Sequence, residues 1–274
     1  MISNYVLDVG QGFSICGINI INEKRVEGIF NGITPAYAEK FRVNDFSSSS
    51  CEVRIFLEKS QRAECFNNDP LTRVHCNMDG PEVVWSTSSW CFRTNENYTE
   101  FYGFYRDTVD GWFGAVRAAL ALHLIYEEKG VLLHASSGFF NDRIYIIIGR
   151  SGAGKTTAIK NFPGIVIQDE ITGLRVDSEL RAWPTPFGGE LEKGSDHAGK
   201  VIFVTLDKTD IDSVGETTAN HFLPLSQSTV FPGGPEEINS KFLKLIEKIV
   251  DSSILIPVCA TMNSGFWYLL KDLA

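Results

Sequence analysis

The sequence predicts an α/β protein in which an N-terminal antiparallel β-rich domain, residues 1–110, precedes a second domain of different texture, residues 111–274. Three observations carry this expectation. Short alternating or apolar runs broken by turn residues fill the chain to about residue 106. From Val131 onward apolar strands alternate with helical segments. A glycine-rich octet, Gly149-Arg150-Ser151-Gly152-Ala153-Gly154-Lys155-Thr156, follows an apolar strand and opens a segment able to form a helix.

In the first domain, strands are expected at residues 5–9, 13–18, 51–57, 82–85, 89–93 and 99–105, and the serine run 47–50 reads as a loop. Between residues 111 and 129, Phe113, Val116, Ala119, Leu120, His123, Leu124 and Tyr126 recur at three- and four-residue intervals. That spacing predicts an amphipathic helix, stopped at Gly130 and joining the two domains. Residues 131–135 and 143–148 flank Asn141-Asp142 and read as adjacent hairpin strands, the second feeding the octet. Further strands are expected near residues 164–168, 173–176, 200–206 and 254–260, with helices over 235–250 and 266–273.

Composition bounds the function. The net charge is −9 and no cluster of Lys and Arg occurs, which argues against nucleic-acid binding. No apolar run approaches the roughly 20 residues a membrane helix needs, and the start of the chain lacks the basic stretch and apolar run of a secretory signal, so a cytoplasmic protein is expected. The six cysteines show no zinc-like spacing and read as reduced thiols; Cys65, His75 and Cys76 lack a fourth ligand.

The octet fits the pattern G-x-x-x-x-G-K-T, a P-loop. Its glycines let successive N–H groups turn toward phosphate oxygens, and the positive end of the following helix adds to the attraction. Gly149, Ser151, Gly152, Ala153, Gly154, Lys155, Thr156 and Thr157 are therefore the expected contacts for ATP or GTP, with Lys155 bridging the outer phosphates and the Thr156 hydroxyl on magnesium. Fourteen positions beyond Lys155, an apolar strand ends in Asp169-Glu170, so the intervening helix is very short. A strand-end acid beside a P-loop serves as magnesium ligand or base. The signature segment of a transporter ATPase is absent. His134, at the end of the preceding hairpin strand, is expected beside Asp169 and the phosphates, where an imidazole would tune the carboxylate or move a proton.

Leu133-His134-Ala135, a turn, the loop from Gly149 to Thr157, then a strand ending Asp169-Glu170 resembles the catalytic domain of HPr kinase/phosphorylase, especially the HPr-kinase-like proteins of bacteria. The resemblance spans residues 112–273, most specifically 131–190. It implies a P-loop catalytic domain with a fold related to nucleotide-dependent phosphoenolpyruvate carboxykinase. It implies that Asp169 takes the proton from an acceptor serine hydroxyl, that His134 contacts Asp169, and that Glu170, in place of a second aspartate, helps hold magnesium. The segment 184–190 resembles a Pro-x-x-Gly-Glu turn of shorter relatives, making Glu190 a further acid for the metal. The family's HPr-gripping loop and C-terminal helical segment have no clear match, so the resemblance implies neither HPr as acceptor nor phosphorolysis.

The expected activity is thus transfer of a γ-phosphoryl group to a hydroxyl of a protein, peptide or small molecule; a homo-oligomer is compatible with the sequence. An ATPase or nucleotide-dependent binding module without an acceptor is the alternative, and a non-catalytic scaffold would have no reason to keep Lys155, Thr156, Asp169 and His134 together. Lys193 and Lys200 are named as further cations for the transferred phosphate, although each also reads as a solvated lysine. Phe101, Tyr102, Phe104, Tyr105, Trp112 and Phe113 read either as an acceptor platform or as packing.

Overall fold

The computed structural model describes residues 12–15, 18–22, 42–43, 53–60, 66–67, 74–79, 82–106, 108–191, 194–261 and 265–273. The strand expected at 5–9, the loop at 47–50, Cys16, Cys51, Cys65 and Lys193 lie outside these residues. The described residues are mixed α/β, with more strand than helix, and form two compact units. One draws on Met1–Tyr126 and Phe231–Asn239, the other on Glu127–Val230 and Ser240–Ala274.

The first unit contains β1 (Gly12–Ile15), β2 (Ile18–Asn22), β3 (Arg42–Val43), β4 (Val53–Lys59), β5 (His75–Asp79), β6 (Glu82–Ser86), β7 (Trp90–Thr94), β8 (Glu100–Tyr105) and helix α1 (Val109–Tyr126). Its sheet has the order β3-β1-β2-β4-β8-β7-β6-β5. The sheet is mixed rather than antiparallel, because β4 runs parallel to both β2 and β8. Strand periodicity reports which face a residue takes, whereas direction depends on the connections between strands, which carry no periodic signal. Val53, Ile55 and Leu57 alternate inward with Trp90, Phe92, Phe101 and Tyr105, and Trp90 stacks on Phe92 at 5.0 Å.

The helix α1 departs from the amphipathic expectation. Trp112, Ala115, Val116, Ala118, Ala119, Leu120, Ala121, Leu122, Leu124 and Ile125 are all buried, so it is apolar nearly all round, as a helix interior to a protein must be. It belongs to the first unit, and it ends at Tyr126 because Glu128 takes a left-handed φ of 52°. Gly130 does not cap it: that residue opens the next strand, where an added Cβ would lie 2.4 Å from the Leu174 carbonyl oxygen.

The second unit is organised around one long strand. It contains β9 (Gly130–Phe140), β10 (Arg143–Ile148), α2 (Lys155–Lys160), β11 (Ile165–Gln168), β12 (Ile171–Val176), β13 (Leu180–Trp183), β14 (His197–Ala198), β15 (Lys200–Lys208), β16 (Ser213–Val214), α3 (Phe222–Ser228), the residues of α4 (Glu236–Asp251) from Ser240 on, β17 (Ser253–Ala260) and α5 (Gly265–Leu273). The sheet order is β14-β13-β12-β9-β10-β15-β17-β16, with β11 also on β9. The β9–β10 hairpin turns at Asn141 and Asp142, whose φ values of 50° and 57° suit the two-residue turn their residue types favour. On its other edge β9 pairs first with β12 and then with β11. Since β10 and β11 are each antiparallel to β9, they point the same way, and the loop after β10 and the acids after β11 emerge at one end of the sheet.

The core beneath this end joins Tyr145, Ile147, Ala158, Ile159, Ile202, Val204, Phe266 and Trp267. Among the described residues no helix is long and apolar enough to cross a membrane. Cys76 and Cys259 are free thiols as expected, but Cys91 is disulfide-bonded, a correction to the uniform reduced reading. Sequence spacing does not report which thiols a sheet brings within bonding distance.

Candidate functional site

The glycine loop leaves β10 at Ile148, level with Ala135 of β9, so His134 lies at the same end of the sheet. Gly149, Gly152 and Gly154 adopt φ values of 147°, 79° and 96°, a region in which a side chain would be strained. Nothing stands within 4 Å of a Cβ placed on Gly152, so backbone conformation rather than space dictates glycine there. Lys155 opens α2, is 6% exposed, and donates from Nζ to the carbonyls of Gly149 at 2.9 Å and Arg150 at 3.2 Å. Burial pulls its pKa below the usual lysine value, and the Glu170 carboxylate pulls it partly back up. Thr156 Oγ1 lies 3.5 Å from the Asp169 carbonyl oxygen, while Ser151 and Thr157 are exposed.

The acid pair sits in the gap between β11 and β12, against the middle of β9. Ala135 N–H donates to the Glu170 carbonyl at 3.0 Å and Ser136 Oγ donates to the Asp169 carbonyl at 2.9 Å. The two side chains then part. Asp169 is 1% exposed, and its Oδ2 accepts the backbone N–H groups of Glu190 at 2.6 Å and Leu191 at 3.1 Å. Glu170 stays about half-exposed with Oε1 3.4 Å from His134 Nε2.

The imidazole therefore lies beside the Glu170 carboxylate. The cause is a bulge: β11 pairs Val166 with Gly138 but Gln168 with Ser137, so one extra residue enters the strand. Such a shift exchanges the faces taken by the residues that follow.

Gln168 and Thr185 hold this bend and were not singled out from sequence. Gln168 is fully buried; its Nε2 donates to the carbonyls of Ile171 at 2.8 Å and Thr185 at 2.9 Å, and its Oε1 accepts the Asp169 N–H at 2.9 Å. An amide ending an otherwise apolar strand, Ile165-Val166-Ile167-Gln168, was the available signal, because a buried polar group needs partners.

Three further groups named from sequence take other places, Lys200 being exposed in keeping with its reading as a solvated lysine. The Glu190 carboxylate points to solvent and pairs with Lys160 at 2.8 Å, which holds its pKa below the usual carboxylate value; only its backbone N–H reaches the acid pair. Lys200 stands in register with Arg143, at the start of β10, about 17 Å of strand away from Ile148 at 3.3 Å per residue. The aromatic group is split: Phe101, Tyr105 and Trp112 are buried, whereas Tyr102 and Phe104 lie exposed on the opposite face of β8.

The assembled groups are thus the loop amides, Lys155, Thr156, Glu170 and His134, with Asp169 behind them. Loop amides and a lysine suit phosphate oxygens. Among the described residues no group of three or more His, Cys, Asp or Glu side chains forms a metal cage. A magnesium ion at a nucleotide takes only one or two protein oxygens, its other positions going to phosphates and water, so such an ion would not require a cage of that kind. A scan against protein-family models and a search of the curated proteins find no match to the chain.

Proposed function

We propose that the protein is a magnesium- and ATP-dependent kinase that transfers the γ-phosphoryl group to a hydroxyl, most specifically a serine of a protein, peptide or small molecule, in the manner of the HPr-kinase-like family it resembles. What carries the reading is the placement of the His134–Glu170 contact at the mouth of the glycine loop, where a simple phosphate-binding turn would need no proton-accepting pair.

The chemistry follows from these groups. Loop amides and Lys155 neutralise charge on the transferring phosphoryl group, with Lys155 exchanging loop carbonyls for phosphate oxygens. Thr156 would be the residue that holds magnesium, which when bound would offset negative charge on the phosphates. A carboxylate of the acid pair orients the hydroxyl and takes its proton, and His134 beside it adjusts that carboxylate's charge.

The test is incubation with γ-labelled ATP and magnesium against serine-bearing peptides, small phosphocarrier proteins and hydroxylated metabolites. Label in an acid-stable phosphoester is expected. Release of free phosphate alone across the whole panel supports an ATPase and contradicts the proposal.

A further inference from the structure

We infer that the adjacent acids divide the work, Glu170 being the carboxylate that takes the acceptor's proton and Asp169 a positioning residue that locks the turn against which Glu170 rests. The inference deepens the kinase reading and rests on it.

The Asp169 carboxylate is sealed from solvent and its Oδ2 is already occupied by two backbone N–H groups, so an acceptor hydroxyl has no approach to that oxygen. Those N–H groups belong to the end of a turn containing Gly188 and Gly189, with left-handed φ values of 80° and 96°. Gly188 lies directly on the neighbouring acid: a Cβ there would come 2.9 Å from Glu170 Cγ. The contacts run in one line, from the Asp169 carboxylate to the amides of Glu190 and Leu191, through the turn to Gly188, onto the Glu170 stem and out to His134. Gln168 and Thr185 clamp the base of the same turn. Glu170, by contrast, has a carboxylate that is open to solvent, lies 3.4 Å from the His134 imidazole and acts on the charge of Lys155.

In the step itself, the hydroxyl oxygen forms a bond to the γ-phosphorus as its proton passes to the Glu170 carboxylate. The bond from γ-phosphorus to the bridging oxygen breaks, and its electron pair leaves on the nucleoside diphosphate. Asp169 takes no part in the proton's path and acts by keeping Gly188, and with it Glu170, in place.

The experiment compares wild type, Asp169→Ala, Asp169→Asn and Glu170→Gln in turnover of magnesium ATP, in affinity for magnesium ATP, and in backbone amide exchange at Glu190 and Leu191. Asparagine keeps an acceptor oxygen for the two amides but is no base. Asp169→Ala is expected to speed exchange at both amides and to lower turnover about 30-fold, the worth of two hydrogen bonds. Asp169→Asn is expected to recover most of both losses. Glu170→Gln is expected to lose about 100-fold or more in turnover, the usual share of a general base, with amide exchange unaltered and no rescue by excess magnesium. Loss in Asp169→Asn as deep as in Glu170→Gln, or magnesium rescue of Glu170→Gln, overturns the division. A wild-type chain that binds no magnesium ATP refutes the kinase reading instead, and unchanged exchange in Asp169→Ala then refutes the locking role separately.

Discussion

Individual side chains at this site are governed by small backbone choices. Gly188 combines a left-handed φ with the Glu170 stem packed on it, so Gly188→Ala is expected to cost about 1–2 kcal/mol from backbone strain and to lower ATP turnover by displacing Glu170; thermal unfolding and a turnover assay check both. His221 shows how burial acts on a titrating group. It is fully buried, with Nδ1 3.0 Å from the Ala219 carbonyl and Nε2 2.8 Å from Ser253 Oγ, and burial lowers its pKa. A folded pKa below the unfolded value of about 6.5 means that stability is complete above that pH and falls as pH drops toward the folded pKa. Urea midpoints should therefore fall between pH 7.5 and 5.5, and His221→Gln should flatten that fall; an equal fall in the variant contradicts it. At this scale the sequence was readable in placement: the octet follows an apolar strand and His134 lies on the neighbouring strand at the same end. It was not readable where a bulge decided which of two neighbouring acids turns inward, since a one-residue slip leaves the residue types unchanged.

Elements position the site through shared strands and one tryptophan. The length of β9 lets a single strand carry His134, receive β10 on one edge and hold the acid bend on the other, so three chain segments converge without a long helix between them. The short helix α2 is tied down from the C-terminal helix: Trp267 Nε1 donates to the Ala158 carbonyl at 2.9 Å, and the indole packs edge-on against Phe162 at 4.8 Å. Trp267→Phe is expected to cost about 1 kcal/mol for the lost hydrogen bond and Trp267→Ala about 3–5 kcal/mol for the cavity, both measurable by denaturant unfolding. The hairpin and the strands of the second unit were legible because alternation and the Asn141-Asp142 turn announce them. The helix α1 was misread because small residues such as Ala115, Ala118 and Ala121 do not advertise burial, yet they fill its supposedly polar face. Short pieces such as β14 and β16, two residues each, carry too little periodicity to be seen.

Across the whole molecule the described residues form two units with separate sheets, and the glycine loop, His134 and the acid pair belong to the second. The mixed direction of the first sheet followed from long-range connection, beyond any local pattern. If the second unit holds a nucleotide, ligand binding must stabilise it. Magnesium ATP at 100 times its dissociation constant is expected to add about 2.7 kcal/mol to unfolding free energy, seen as a rise in melting temperature that adenosine alone does not produce. The most direct test of the account is calorimetric titration of the wild type and Lys155→Ala with magnesium ATP. One nucleotide per chain is expected to bind the wild type, with affinity reduced at least about tenfold in the variant, the loss of one charge-assisted contact. Equal affinity in the two, or no heat with the wild type, would contradict it.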